Sequence, residues 1–207
     1  MNQPNIDAAI AYALHRLSAE LPSNITYHCV EHTRDEVMAA AVEFARAAGI
    51  AARETDLLRV AAAFHDLGFI ERPADHEICS VRIAAQVLPA FAFDAAAIEQ
   101  IMSLILATRL PQSPRTYLEQ LMCDADLSGL GGEDFSERSA ALLQERHAFG
   151  QRLSDAAWWQ EQIDFLARHH YWTEVAETLR AGGKARNLFR LHQRLAEEAR
   201  RETTGAD

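Results

Sequence analysis

Cysteine is sparse in this chain: three residues in 207, at positions 29, 79 and 123. An odd number at such wide spacing excludes a disulfide framework and a paired CxxC metal site, leaving Cys29, Cys79 and Cys123 as reduced packing residues. Long apolar runs are missing as well. No stretch approaches the ~18 to 20 uninterrupted apolar residues of a membrane span. The opening "MNQPNIDAAIAY" lacks the basic, then apolar, then small-residue order of a signal peptide. No membrane partner is expected, and the cytoplasm is the expected location. Positive charge is in deficit: 20 Lys and Arg against 30 Asp and Glu give a formal net charge of -10. Such a surface repels a polyanion, which argues against a nucleic acid polymer as partner, while a small anion stays open wherever a site is locally positive. Apolar side chains are abundant, at 49% of residues, enough for a proper core in one domain. A homodimer is compatible with this composition.

Strand-like alternation is absent too, and helical periodicity takes its place. Ile6, Ile10, Ala13, Leu14 and Leu17 follow the 3/4 spacing of an amphipathic helix that Pro22 ends. "HTRDEVMAAAVEFARAAG" carries Val37, Ala40, Ala41, Phe44 and Ala48 on one face, with Gly49 as its C-cap. Similar patterns predict helices over 54–67, 76–88, 94–109, 116–130, 134–149, 155–170 and 173–202. Short connectors such as "LPQSPR" and "GLGGED" break them, with no linker and no fixed-period repeat. The fold class expected is all-α, in a single domain over residues 1–207.

At the end of an alanine-rich run stands the doublet His65-Asp66 in "RVAAAFHDLGF". His65 follows Leu58 by seven residues and Ala61 by four, so its ring points to the apolar side, with Asp66 about 100° further round. An isolated carboxylate there needs a partner or a shifted pKa, no Lys or Arg stands at the inward offsets, and a divalent cation answers that need. Taken alone, the pair is as well read as a core histidine beside a capping or ion-paired aspartate. Two further segments add metal-capable groups: "YHCVEHT" with His28 and His32, and "CDADLSGLG" with Asp124 and Asp126 late in a helix.

These three segments, in this order, resemble the HD-domain superfamily of metal-dependent phosphohydrolases. "YHCVEHT" is similar to its first metal-histidine helix, "AAAFHDLGF" to its signature doublet and "CDADLS" to its closing aspartate. The likeness covers about residues 25–130 as a metal-binding core, with about 131–203 as a helical extension, and is strongest to small uncharacterised bacterial members. It implies an HD-type helical bundle with His32, His65, Asp66 and Asp126 as metal ligands. Asp124 is the alternative to Asp126, or a group that orients a ligand or water from behind; otherwise it is an exposed helix carboxylate. The related cyclic nucleotide phosphodiesterases imply His28 as the proton donor, which by itself reads equally as a loop histidine bonded to backbone. With Asp66, His28 makes up the expected catalytic set.

Departures from the family narrow the activity. His76 is the one histidine between the doublet and the last aspartate, so a single ion is the simpler expectation. His76 is then a substrate contact, a partial second ligand, or part of a helix N-terminus capped by Asp75. Bacterial nucleotidases of the superfamily carry Glu three residues after the doublet, and cyclic-di-nucleotide hydrolases carry Lys; here it is Phe69. Two imidazoles and two carboxylates suit Mn, Fe, Ni, Co or Zn better than Ca or an all-oxygen Mg site. The implied function is hydrolysis of a phosphoester or phosphoanhydride bond in a small phosphorylated substrate, a nucleotide among the options, by a metal-activated water. The alternative is a non-catalytic sensing or interaction module with a structural metal. A diiron oxygenase of the same fold would need more histidines. Phosphate-binding expectations fall on Arg109, Arg115 and Lys184, with His76 as a substrate contact beside them; His169, with its aromatic neighbours, would wall a base-sized ligand. Arg180 and Arg186 share the basic stretch of Lys184, and His170, Tyr171 and Trp172 continue from His169. Each basic group also reads as a solvated helix end, and the aromatics as core.

Overall fold

Three consecutive alanines, Ala61, Ala62 and Ala63, are fully buried and let neighbouring helices approach the helix that carries them closely on several sides. That helix is central to the fold. In the computed structural model, which describes residues 3–204, it is α3 (Ala52–Phe64). It packs against α1 (Ile6–Glu20), α2 (Met38–Ala47), α5 (Ala95–Ala107) and α6 (Tyr117–Asp126), with α4 (His76–Val87) on its outer side. Then follow α7 (Phe135–Ala148), α8 (Asp155–Arg168) and the long α9 (Glu174–Thr204). The described residues contain no strand, so the fold is all-α. No helix among them is long and apolar enough to cross a membrane.

Local chemistry sets the helix ends. Asn5 and Asp94 accept the N–H of Ala8 and Ala97 at 3.1 and 2.8 Å, Ser154 accepts that of Ala157, and Thr116 with Glu119 forms a reciprocal capping box. Gly49, at φ 68°, ends α2 as expected, and the Ile50 N–H returns to Ala45 O. Asp75 departs from its expected part. It stands before α4 at φ 54° but makes no side-chain cap; its carboxylate turns to Arg109 at 2.5 Å.

Two expected helices stop early. The one predicted over 54–67 ends at Phe64, and Leu67–Ile70 forms a tighter 3₁₀ turn. The one predicted over 116–130 ends at Asp126, followed by a 3₁₀ turn at Ser128–Gly131. Close backbone approach explains both. A Cβ on Gly68 would collide with His76 O, and one on Gly183 of α9 with Gly131 O. The second expected helix opens as a wide π turn, His32–Val37, with the Met38 N–H bonded to Thr33 O five residues back.

The apolar interior has two parts. A large cluster joins α1 to α6, with Phe44, Phe64, Leu58, Ile101 and Leu121 fully buried. A smaller one, Leu130, Phe135, Ile163, Leu166 and Leu191, joins α7, α8 and α9. Between them lies a cavity of about 200 Å³.

Candidate metal centre

The doublet sits where α3 gives way to the 3₁₀ turn, and the local bonding fixes it there. Ser80 of α4 donates its hydroxyl to His65 O at 2.6 Å and accepts the Gly68 N–H at 2.8 Å. The His65 ring points Nδ1 at Ala62 O, 2.8 Å away, which places the proton on Nδ1 and leaves the Nε2 lone pair facing inward. Opposite Nε2 are Asp66 Oδ2 at 3.1 Å and Asp126 Oδ1 at 3.2 Å. His32, at the head of the π turn, brings its Nε2 to 3.7 Å from the same Asp66 Oδ2.

One donor atom each of His32, His65 and Asp66 lies within 4.8 Å of the others, and all three residues are buried. His65 Nε2 and Asp66 Oδ2 make no hydrogen bond, an arrangement buried polar atoms seldom tolerate without a ligand. The spacing suits a cation: bonds of ~2.1 Å put adjacent donors ~3.0 Å apart at right angles and ~3.4 Å apart in a tetrahedron. The His32, His65 and Asp66 cluster is therefore spaced to suit a transition-metal ion. Asp126 joins it through His65 and is more open, its side chain 17% exposed.

Electrostatics without an ion tell the same story. Burial works against charge on His65, but Asp66 and Asp126 outweigh it and hold the imidazole well above its ordinary 6.5. Burial likewise opposes the Asp66 carboxylate, yet His65 and His76 keep it well below its ordinary 3.8. Asp66 and Asp126 thus favour positive charge at His65.

Asp124 is not part of this group. It is fully buried, and its carboxylate accepts the N–H groups of Trp172 and Thr173 at 2.8 and 2.9 Å and the Thr173 hydroxyl at 2.7 Å. Thr173 in turn accepts the Ala176 N–H. Asp124 therefore anchors the start of α9 and does not lie exposed on a helix.

His28 lines the cavity on the loop before the π turn. Its Nδ1 meets Glu145 Oε1 of α7 at 2.6 Å, and its ring stacks on Phe69 at 4.1 Å. The other Glu145 oxygen accepts three successive backbone N–H groups, from Thr26, Tyr27 and His28, at 2.9 to 3.2 Å. Burial opposes the Glu145 charge, but His28 and these amides keep it below the ordinary 4.5. Glu36 stands behind His32, Oε2 being 3.4 Å from Nδ1, and Arg138 of α7 backs Glu36 at 2.6 Å. Tyr27 packs against His32 at 4.7 Å; burial and the nearby Glu36, Asp126 and Asp66 charges push its hydroxyl well above 10, so it remains a donor.

Of the expected substrate contacts, His76 alone lines the cavity, its Nε2 3.3 Å from Asp66 Oδ1. Its Nδ1 faces Pro73 O. Arg109 is exposed and paired with Asp75, and Arg115 is exposed in its loop. His169 and Lys184 bond each other beside Tyr171, Lys184 Nζ reaching His169 O at 2.6 Å. None of these four lines the cavity. Its arginines are Arg138 and Arg146, held by Glu36 and Glu161. The sequence reading passed over Glu36, Glu77, Arg138 and Glu145. Glu36 carried a signal, four residues after His32; Glu145, 117 positions from His28, carried none.

The chain is an all-α domain with a buried His–Asp cluster at the wall of a cavity. Its fold is similar to the crystal structure of a Lactobacillus plantarum protein solved as a structural genomics target, with a TM-score of 0.69 and 19% identity over 94% of this chain and 96% of that one. No protein-family model and no curated protein matches the chain.

Proposed function

We propose that this protein is a metal-dependent phosphohydrolase of the HD-domain type, acting on a small phosphorylated molecule. The observation that carries this reading is the convergence of His32, His65 and Asp66 donor atoms within 4.8 Å, two of them buried without a hydrogen bond, on a cavity that also presents His28. His32, His65, Asp66 and Asp126 would hold a divalent transition-metal ion, which when bound would supply a Lewis acid for phosphoryl oxygens and lower the pKa of a water.

The chain's own groups do the rest. His28, tied at Nδ1 to Glu145, presents Nε2 as the atom that gives a proton to the leaving oxygen. Tyr27 keeps its proton and offers a hydrogen bond at the cavity wall. Arg138, whose Nε is held by Glu36 and Asp134, leaves its terminal guanidinium nitrogens to face the phosphate at a wall that also carries Arg146.

Elemental analysis of the purified protein and hydrolysis assays on His28→Ala test the reading. The variant keeps its metal and slows a poor leaving group, such as an alkyl phosphate, by ~10²-fold or more, the scale of general acid catalysis. An activated aryl phosphate, which leaves without a proton, loses much less. Equal losses on both would remove His28 as the acid, and a metal-loaded wild type that turns over no phosphoester would remove the enzyme reading altogether.

A further inference from the structure

Hydrolysis by water needs a group to take the water's proton as well as one to supply the leaving group's. The carboxylates within reach of the cavity divide clearly. Asp66 and Asp126 belong to the ligand cluster. Glu36 is committed to His32 and Arg138, and Glu145 to the 26–28 loop. Glu77 remains. It lies in the first turn of α4, is 8% exposed, and lines the cavity. Among the described residues its carboxylate accepts no hydrogen bond, and the basic atom facing it is His76 Nε2 at 3.6 Å. The place three residues beyond Asp66 is filled by Phe69, whose ring packs at 4.1 Å against both His28 and His76.

We infer that Glu77 is the general base of this site. The inference rests on the phosphohydrolase reading and adds to it the residue that activates the nucleophile. In the step, water oxygen forms a bond to phosphorus and its proton passes to a Glu77 carboxylate oxygen. The ester P–O bond breaks, and the leaving oxygen takes the proton from His28 Nε2. Water and phosphoester become phosphate and alcohol. Glu77 then loses its proton to solvent and His28 regains one, so no co-reactant is required. Base and acid stand on different elements, α4 and the loop before the π turn, and both line the one cavity.

The test uses the full-length, metal-loaded protein and its Glu77→Gln and Glu77→Ala forms. Wild type is assayed first on p-nitrophenyl phosphate and an alkyl phosphate. With Glu77→Gln, metal content and inhibition by inorganic phosphate stay at the wild-type level, while turnover falls ~10²-fold or more on both substrates alike, because the base acts on water whatever the leaving group. Formate restores part of the activity of Glu77→Ala by entering the space left by the side chain. Undiminished turnover in Glu77→Gln, or loss of metal from it, overturns the assignment while the phosphohydrolase reading stands. Absence of turnover in wild type overturns both.

Discussion

On the α3 side of the cavity the functional side chains are held by packing. His65 and Asp66 close a helix of buried alanines, and Ser80 pins the turn between them and α4. On the α7 side they are held by charge: Glu145 grips the 26–28 loop and His28, and Arg138 backs the Glu36 that faces His32. Apolar packing carries no charge of its own, whereas ionic grips weaken as their groups change protonation. The first side therefore decides whether an ion binds, and the second how the groups around it are aimed.

Removing the ion should give the largest effect and confirm which side depends on it. An ion present at ~100 times its Kd stabilises the folded state by ~2.7 kcal/mol. In a domain of this size that corresponds to a melting temperature lower by roughly 5 to 10 °C with chelator. His65→Ala abolishes binding, so its melting temperature should no longer respond to chelator. Scanning calorimetry with and without EDTA reads both. An unchanged wild-type melting temperature after verified metal loss would mean that packing alone sustains the α3 side.

Breaking the ionic side should come next. Glu145→Ala leaves three part-buried loop N–H groups to water in place of their acceptor, at ~1 to 2 kcal/mol in all. Glu145 titrates below its usual value in the folded state, so its contribution is complete above the unfolded carboxylate pKa and is lost as pH falls through the folded one. Wild type should thus lose more stability than Glu145→Gln on acidification below about pH 5. Parallel denaturant curves at pH 7 and pH 4 measure the difference, and identical pH dependence would deny Glu145 its ionic grip.

The smallest effect separates two aspartates that lie two residues apart. Asp124→Asn keeps one acceptor oxygen for the start of α9 and should cost about 1 kcal/mol with no change in bound metal. Asp126→Asn should weaken metal binding by about tenfold or more with little change in the stability of the metal-free protein. Competition with a chromogenic chelator distinguishes them, and metal loss in the Asp124 variant would return that residue to the ligand set.

How much of this was legible in the sequence follows from the same contrast. Helix periodicity gave the all-α class, whereas His32, His65, Asp66 and Asp126 were expected together only because their segments resemble the HD-domain superfamily; the structure brings donor atoms of His32, His65 and Asp66 within 4.8 Å. Asp126 was preferred to Asp124 by the family resemblance; on a helix, residues two apart point ~200° from one another, so the two face different ways. Which one faces the cavity depends on where α9 packs, a fact no local pattern carries. Arg109 was expected to bind phosphate from its helix end and Lys184 from its basic stretch, but each is engaged elsewhere, Arg109 by Asp75 and Lys184 by His169. Glu145 was beyond reach because its function arises from contact across 117 positions.

The π turn at His32–Val37 bears on how this gene can change length. It holds one residue more than a regular helix needs to join the same two ends. Deleting one residue between Thr33 and Val37 would relax the turn into ordinary helix and swing the preceding chain by ~100° about the axis. α2 and its apolar face would survive, while His32 would be carried away from Asp66. Point substitutions at the exposed Arg34 or Asp35 leave that register untouched. In this segment the reading frame of the helix, more than the identity of its outward side chains, is what a lineage must preserve to keep the metal.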